Sequence, residues 1–526
     1  MKKYIIYTSI VLTSLSFTFT SCKKALELEP LNDVTSDVAY SSIQGYRQGI
    51  AKVYGSFALT GNSGPTGSSD IVGLDEGSNA DFLRGWWKAQ ELSTDEAVIA
   101  WGDVGVQDFH NMNWTPDNPF LRGLYFRSIY QITLVNEFLR QSTDARLSER
   151  GISGTNADEI KRARAEVRFL RAFQYWILMD LYGNPPFVTE ADEIGSGLPK
   201  QITKGELFKY IESELKAIET ELPAADRSVA QYGRATRAAA QALLARVYLN
   251  AMVYTGAARY NDAVTYSKKV IDEGYSLVPN YKNLTRNDNN LVARNELIFT
   301  INYDGQKTQL FGGTTFLAHA SVGGSMNASD YGLDFGWGGL RTTKRLVDLL
   351  PDADGRSSFF KTGQNIEIAS LTTFTDGFAV TKFQNKTSTG TPGANQTFVD
   401  TDFPLFRLAE MYLIYAEANV RGGGGDNNLA LTYFNQLRAR AYGNVSANVS
   451  TLNADLILDE RARELHWEGH RRTDLIRYGR FVEGTYLWPW KGGVKDGRSV
   501  EAFRALYPLP AADVTANPNL KQNTGY

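Results

Sequence analysis

Two imidazoles four residues apart, His466 and His470, have the spacing a helix needs to offer both to one metal ion. The zinc-protease arrangement places Glu directly after the first His, and here Trp467 stands there. Gly469 also predicts that the helix is ending, which would separate the two rings. Two acidic pairs, Asp75-Glu76 and Asp95-Glu96, have the chemistry of a glycosidase acid and base. Capping and solvated acids give the same pattern. No Gly-x-Ser-x-Gly elbow, phosphate loop or dinucleotide fingerprint is present, so catalysis has no further support. Asp400-Thr-Asp402 carries two hard carboxylates, and Asn287-Asp288-Asn289-Asn290 is an oxygen-rich loop of the kind Ca²⁺ accepts. Turn-capping acids explain both equally well.

Aromatic residues are a different resource. Trp101, Phe311 and Trp337 fall in irregular segments, the last two flanked by glycine as Phe311-Gly312-Gly313 and Gly336-Trp337-Gly338. Such rings either anchor their loops to a scaffold or stack on the apolar faces of sugars, with nearby Asp and Arg bonding the hydroxyls.

The elements that would position these residues are helical. Ala172-x-x-Tyr175, Ala245-x-x-Tyr248 and Ala409-x-x-Tyr412 each lie in a long amphipathic run. A small residue one turn from a large ring lets a second helix approach at one point and be gripped at the other. Partner helices are predicted at Leu207–Leu222, Tyr260–Asp272 and Asn427–Ala441, and a further helix runs from Asp455 to about Gly469. These resemble tetratricopeptide hairpins, whose unit is about 34 residues, in an irregular array. Residues 61–118 and 300–406 are rich in Gly, Asn, Asp, Thr and aromatics and weak in helical period, as binding loops on a scaffold would be. The expected fold class is mostly α, a tetratricopeptide-like hairpin scaffold with long irregular, partly β insertions.

The N-terminus addresses the chain. Lys2 and Lys3 precede an uncharged stretch to Thr20, then Ser21 and Cys22, the single cysteine of 526 residues. This reads as a signal over residues 1–21 with Cys22 lipidated as the first mature residue, although Phe19 departs from the usual aliphatic residue. One cysteine excludes an internal disulfide or a thiolate zinc cage. A balance of 55 basic against 58 acidic residues, net −3, argues against nucleic acid as a partner.

The run Glu460-Arg-Ala-Arg-Glu464-Leu-His-Trp-Glu468-Gly-His-Arg471-Arg472-Thr-Asp474-Leu-Ile-Arg477 resembles the C-terminal signature of the SusD/RagB family. Ala165-Glu-Val-Arg168-Phe-Leu-Arg171, Asn184-Pro-Pro-Phe187, Pro404-Leu-Phe-Arg407-Leu-Ala-Glu410 and Pro508-Leu-Pro510 fit in the family's order. The resemblance covers residues 22–526 as a single unit, with an N-terminal part to about 230 and a C-terminal part from about 231. It implies a non-catalytic outer-membrane lipoprotein that binds glycans and caps a SusC-like TonB-dependent transporter. Starch-binding members carry an arc of three aromatics for α-glucan. By position it implies Trp101, Phe311 and Trp337 for that arc, with Asp75 and Arg84 bonding sugar hydroxyls. Phe311 replaces a Tyr, Val104 an Asn and Ile99 a Trp, departures expected to weaken or redirect binding. A calcium site is implied at Asp400, Asp402, Asn290 and the Lys521 backbone oxygen.

Overall fold

The computed structural model describes residues 35–65, 67–74 and 79–526. Cys22, the signal stretch and the pair Asp75-Glu76 lie outside them. The longer helices, in chain order, are α1 Ile43–Gly55, α2 Phe82–Glu91, α3 Pro119–Gln141, α4 Gly154–Tyr182, α5 Lys204–Ile218 and α6 Arg237–Leu249. They continue with α7 Tyr260–Asp272, α8 Gly313–Ala320, α9 Leu408–Val420, α10 Asn427–Tyr442, α11 Ala454–Leu465 and α12 Arg471–Arg477. Strands among the described residues form only two-stranded antiparallel pairs. Two of these matter here: β1 Val98–Ile99 pairs with β3 Leu340–Arg341, and β2 Leu297–Ile301 with β4 Phe403–Arg407.

Local chemistry starts several helices where they begin. Thr203 and Glu206 form a reciprocal capping box on α5, and Asn453 accepts the Leu456 amide at the start of α11. The hairpins are α4 with α5, α6 with α7, and α9 with α10, and α7 packs on α9 to join the second to the third. Each predicted Tyr grips a Tyr of its partner helix. Tyr175 meets Tyr210 at 5.6 Å between ring centroids, Tyr248 meets Tyr266 at 5.4 Å, and Tyr412 stacks on Tyr433 at 4.5 Å and 7°. Ala172, Ala245 and Ala409 are fully buried, as close helix approach requires. One hydrophobic cluster, from Tyr46 to Leu520, runs beneath all three hairpins.

Two expectations need correction. The helix expected to reach Gly469 ends at Leu465, because Trp467 (φ 62°) and Gly469 (φ 80°) turn the backbone left-handed. The insertions are not wholly irregular either. Each holds a helix, α2 in the first and α8 in the second, and the two pack together.

Candidate functional site

The C-terminal signature is interior machinery. All five N–H donors of Arg407 are engaged. Nε and one Nη2 bond go to Glu468 at 2.7 and 2.9 Å, Nη1 bonds Glu296 at 2.9 Å and Glu464 at 2.6 Å, and Nη2 also reaches the Glu464 carbonyl at 2.6 Å. Arg356 donates to Asp354, Glu460 and Glu464, and Arg440 to Glu296 and Glu464. Burial alone would raise the Glu464 carboxyl, but Arg440, Arg407 and Arg356 together hold it well below the usual range. Apart from Arg440, which borders the surface, these residues are buried.

The histidine pair belongs to the same interior. His466 Nδ1 sits 3.0 Å from the Arg463 carbonyl at the end of α11, and His470 lies beyond the turn, facing Glu410 at 4.0 Å. Burial pushes both imidazoles well below their ordinary range. Asp95 accepts a bidentate bond from Arg471, 2.7 Å on each side, and a 2.6 Å bond from the Tyr486 hydroxyl. Beside it Glu96 is raised by burial, as is Glu91, whose Oε1 accepts the Gly469 amide at 2.7 Å. No substrate reaches this second acidic pair.

The implied calcium ligands Asp400, Asp402 and Lys521 all have protein partners. Asp400 accepts the Gly305 and Ala394 amides at 2.6 and 2.7 Å, and Asp402 accepts the Tyr303 amide at 2.7 Å. The neighbouring Asn289, not Asn290, is the residue of that loop bonded to the Asp402 carbonyl, at 2.9 Å. The Lys521 carbonyl accepts from Gln201 at 2.9 Å, in the segment where Asn523 bonds the Tyr182 carbonyl. Phe169, earlier on α4, packs on Phe299 of β2, the strand paired with β4. Tyr182 lies about 20 Å further along α4 than Phe169. Among the described residues no group of three or more His, Cys, Asp or Glu side chains is placed to hold an ion.

The aromatics do converge. Asp81 starts the arrangement: its Oδ1 caps α2 by accepting the Arg84 amide at 2.6 Å and reaches across to the Gly313 amide at 2.9 Å. It thereby ties the start of α2 to the start of α8, just after Phe311. At the other end of α8 the segment 337–339 is laid across the helix terminus. The amides of Trp337, Gly338 and Gly339 donate to the carbonyls of His319, Val322 and Ala320, each at 2.8 Å. The β1–β3 pairing then delivers Trp101, since the Ala100 amide continues the ladder to the Gly339 carbonyl at 2.8 Å. A Cβ at position 339 would fall 2.6 Å from Cε2 of Trp101, so only glycine lets the indole lie there.

Trp337 is the central ring. Its centroid is 6.3 Å from Trp101, tilted 41°, and 6.2 Å from Phe311, tilted 58°. Its carbonyl accepts Trp101 Nε1–H at 3.3 Å. All three rings are half-buried and form one ledge at the surface. Beneath Trp337, at 4.8 Å and 24°, stacks the imidazole of His319. Burial lowers this imidazole's proton affinity, and its Nδ1–H donates to the Phe335 carbonyl at 2.7 Å. Sequence reasoning does not single out His319, which reads as part of the apolar face of α8.

Arg84 is a brace. The guanidinium, 8 % exposed, donates to the Phe311 carbonyl at 3.1 Å and lies 4.6 Å from the Phe316 ring and 5.6 Å from the Trp101 ring. Ile99 is fully buried in β1, so its difference from Trp does not reach the surface, whereas Val104 is 85 % exposed beside the ledge.

The architecture is thus a helical-hairpin scaffold whose insertions display clustered aromatics, and known proteins share it. A family model described as "SusD family" matches residues 359–526, and one described as "Starch-binding associating with outer membrane" matches residues 86–249. The starch-binding protein SusD of Bacteroides thetaiotaomicron is 35 % identical over 100 % of this chain and 99 % of its own. The chain belongs to the SusD family. SusD-like protein P25 of Formosa agariphila is 24 % identical over 98 % of this chain and 99 % of its own. Among solved structures, a laminarin-binding SusD-like protein superposes with a TM-score of 0.71 at 22 % identity, covering 92 % of this chain and 99 % of the other. Surface glycan-binding protein A of Bacteroides thetaiotaomicron, in complex with laminarihexaose, gives 0.69 at 20 % identity, covering 91 % and 99 %.

Proposed function

We propose that this protein is a non-catalytic outer-membrane lipoprotein, anchored through Cys22, that captures starch-derived α-glucan oligosaccharides and delivers them to a SusC-like TonB-dependent transporter. The observation that carries the reading is the ledge of Trp101, Trp337 and Phe311. Successive tilts of 41° and 58° offer a curved surface instead of a flat platform, which suits a chain that bends from ring to ring. Several weak stacking contacts on a preformed surface give shape selectivity with modest affinity, because little entropy is lost on binding. The full-length relative named for starch binding supports the same ligand class. The catalytic alternative is weakened by the sealing of Asp95 and Glu96 in the interior. Among the described residues no helix is long and apolar enough to cross a membrane.

Isothermal titration of the soluble mature protein with maltoheptaose, α-cyclodextrin and a laminarin oligosaccharide tests the reading. Binding of the two α-glucans, lost in Trp101→Ala, is expected. Binding of laminarin oligosaccharide alone would favour a different glucan on the same ledge, as the laminarin-binding neighbours suggest. Release of shorter products from maltoheptaose would overturn the non-catalytic reading.

A further inference from the structure

One large aromatic near the ledge keeps much of its ring in solvent. Phe335 is 53 % exposed, and its backbone is hydrogen-bonded at both its amide and its carbonyl. Its amide donates to Asp334 Oδ1 at 2.8 Å, and its carbonyl accepts His319 Nδ1–H at 2.7 Å. Asp334 is itself fixed, its Oδ2 accepting the Thr397 hydroxyl at 2.5 Å and its amide bonding the Gln396 carbonyl at 3.3 Å. An exposed ring on a pinned backbone loses little freedom when something stacks on it.

The position of the ring is set by Gly336 and His319. A Cβ on Gly336 would lie 2.3 Å from the Val322 carbonyl, so this residue presses against the scaffold between Phe335 and Trp337. Both of those rings then touch the same imidazole: His319 is 4.8 Å from Trp337 and 5.8 Å from Phe335, at 24° and 63°. Sharing one buried neighbour places them on the same side of the segment, at successive positions along it.

We propose that Phe335 is a fourth stacking platform, branching from the ledge beside its central ring Trp337 and engaging a sugar ring that only longer oligosaccharides bring to it. The inference rests on the glycan-binding reading above and sharpens it into a preference for chain length. Its test is the affinity of wild type and Phe335→Ala for malto-oligosaccharides of three to seven rings, with Phe335→Tyr as the conservative variant. Phe335→Ala is expected to lose about three- to tenfold for the seven-ring chain and less than about twofold for the three-ring chain. Phe335→Tyr should retain the length dependence, and the melting temperatures of all three proteins should agree. Equal weakening at every length, no weakening at any length, or a melting temperature lowered by several degrees would overturn the platform. Should wild type bind laminarin oligosaccharides and not malto-oligosaccharides, the same length series with that glucan applies the same criteria. Silence of wild type toward both glucans would overturn the glycan reading itself, and the fourth platform with it.

Discussion

The interior around Arg407 and the surface around Trp337 are built on opposite plans. In the first, charged groups from β4, α10 and α11 are sealed from water, and every Arg407 donor is matched. In the second, half-exposed rings meet at 6.2–6.3 Å with one side-chain hydrogen bond between them. The interior holds a shape. The ledge keeps unsatisfied apolar faces toward solvent, which is what a binding surface requires. The most recognisable sequence in the chain therefore marks its scaffold, and the least patterned marks its site.

Removing one charge from the interior is the strongest way to test that division. Glu464→Gln leaves Arg407, Arg440 and Arg356 short of a buried counter-charge and should cost about 3–5 kcal/mol of stability, read by urea unfolding. Glycan affinity per folded molecule should not change. Trp337→Ala should do the converse. Loss of the central ring is expected to cost about 2 kcal/mol of binding, about thirtyfold in titration with maltoheptaose, while unfolding midpoints move little.

Protons separate the two regions again. Glu464, held well below the ordinary range, contributes stability at neutral pH that is lost as pH falls through its folded pKa. Glu96, raised by burial beneath β1, has the opposite sign: its contribution is present in acid and lost as pH rises past the ordinary carboxylate range. Glu96→Gln should thus match wild type near pH 4 and exceed it by about 1 kcal/mol near pH 8, measured by melting at each pH. The smallest effect belongs to chelation. Since Asp400, Asp402 and Lys521 already bond protein groups, EDTA should leave the melting temperature unchanged, and a downward shift would establish a calcium site.

The hairpins were legible because Ala-x-x-Tyr is a local pattern whose consequence, Tyr against Tyr on the next helix, is nearly local too. Trp101, Phe311 and Trp337 stood out by their glycine-flanked or irregular surroundings, and the resemblance grouped them. The centrality of Trp337 was not legible, because it depends on the β1–β3 pairing and the end of α8, both made by contacts remote in sequence. α2 and α8 are short and carry glycine, and all their residues are buried, Arg84, Lys88 and Glu91 of α2 among them, so their polar residues mark no solvent face. Arg84 also has a structural part that its position alone does not reveal: its guanidinium braces the loop of Phe311.

The hydrogen bond from Trp101 to Trp337 spans 236 residues of chain, and that from Arg84 to Phe311 spans 227. Contacts of such separation pay their loop-closure entropy before they return anything, so they are among the last to form. The ledge has no partial version that a half-folded chain could present. On the proposed reading, ligand capture then serves as its own proof of completion: the ledge exists only once the N-terminal insertion, the hairpins and the second insertion have all come together.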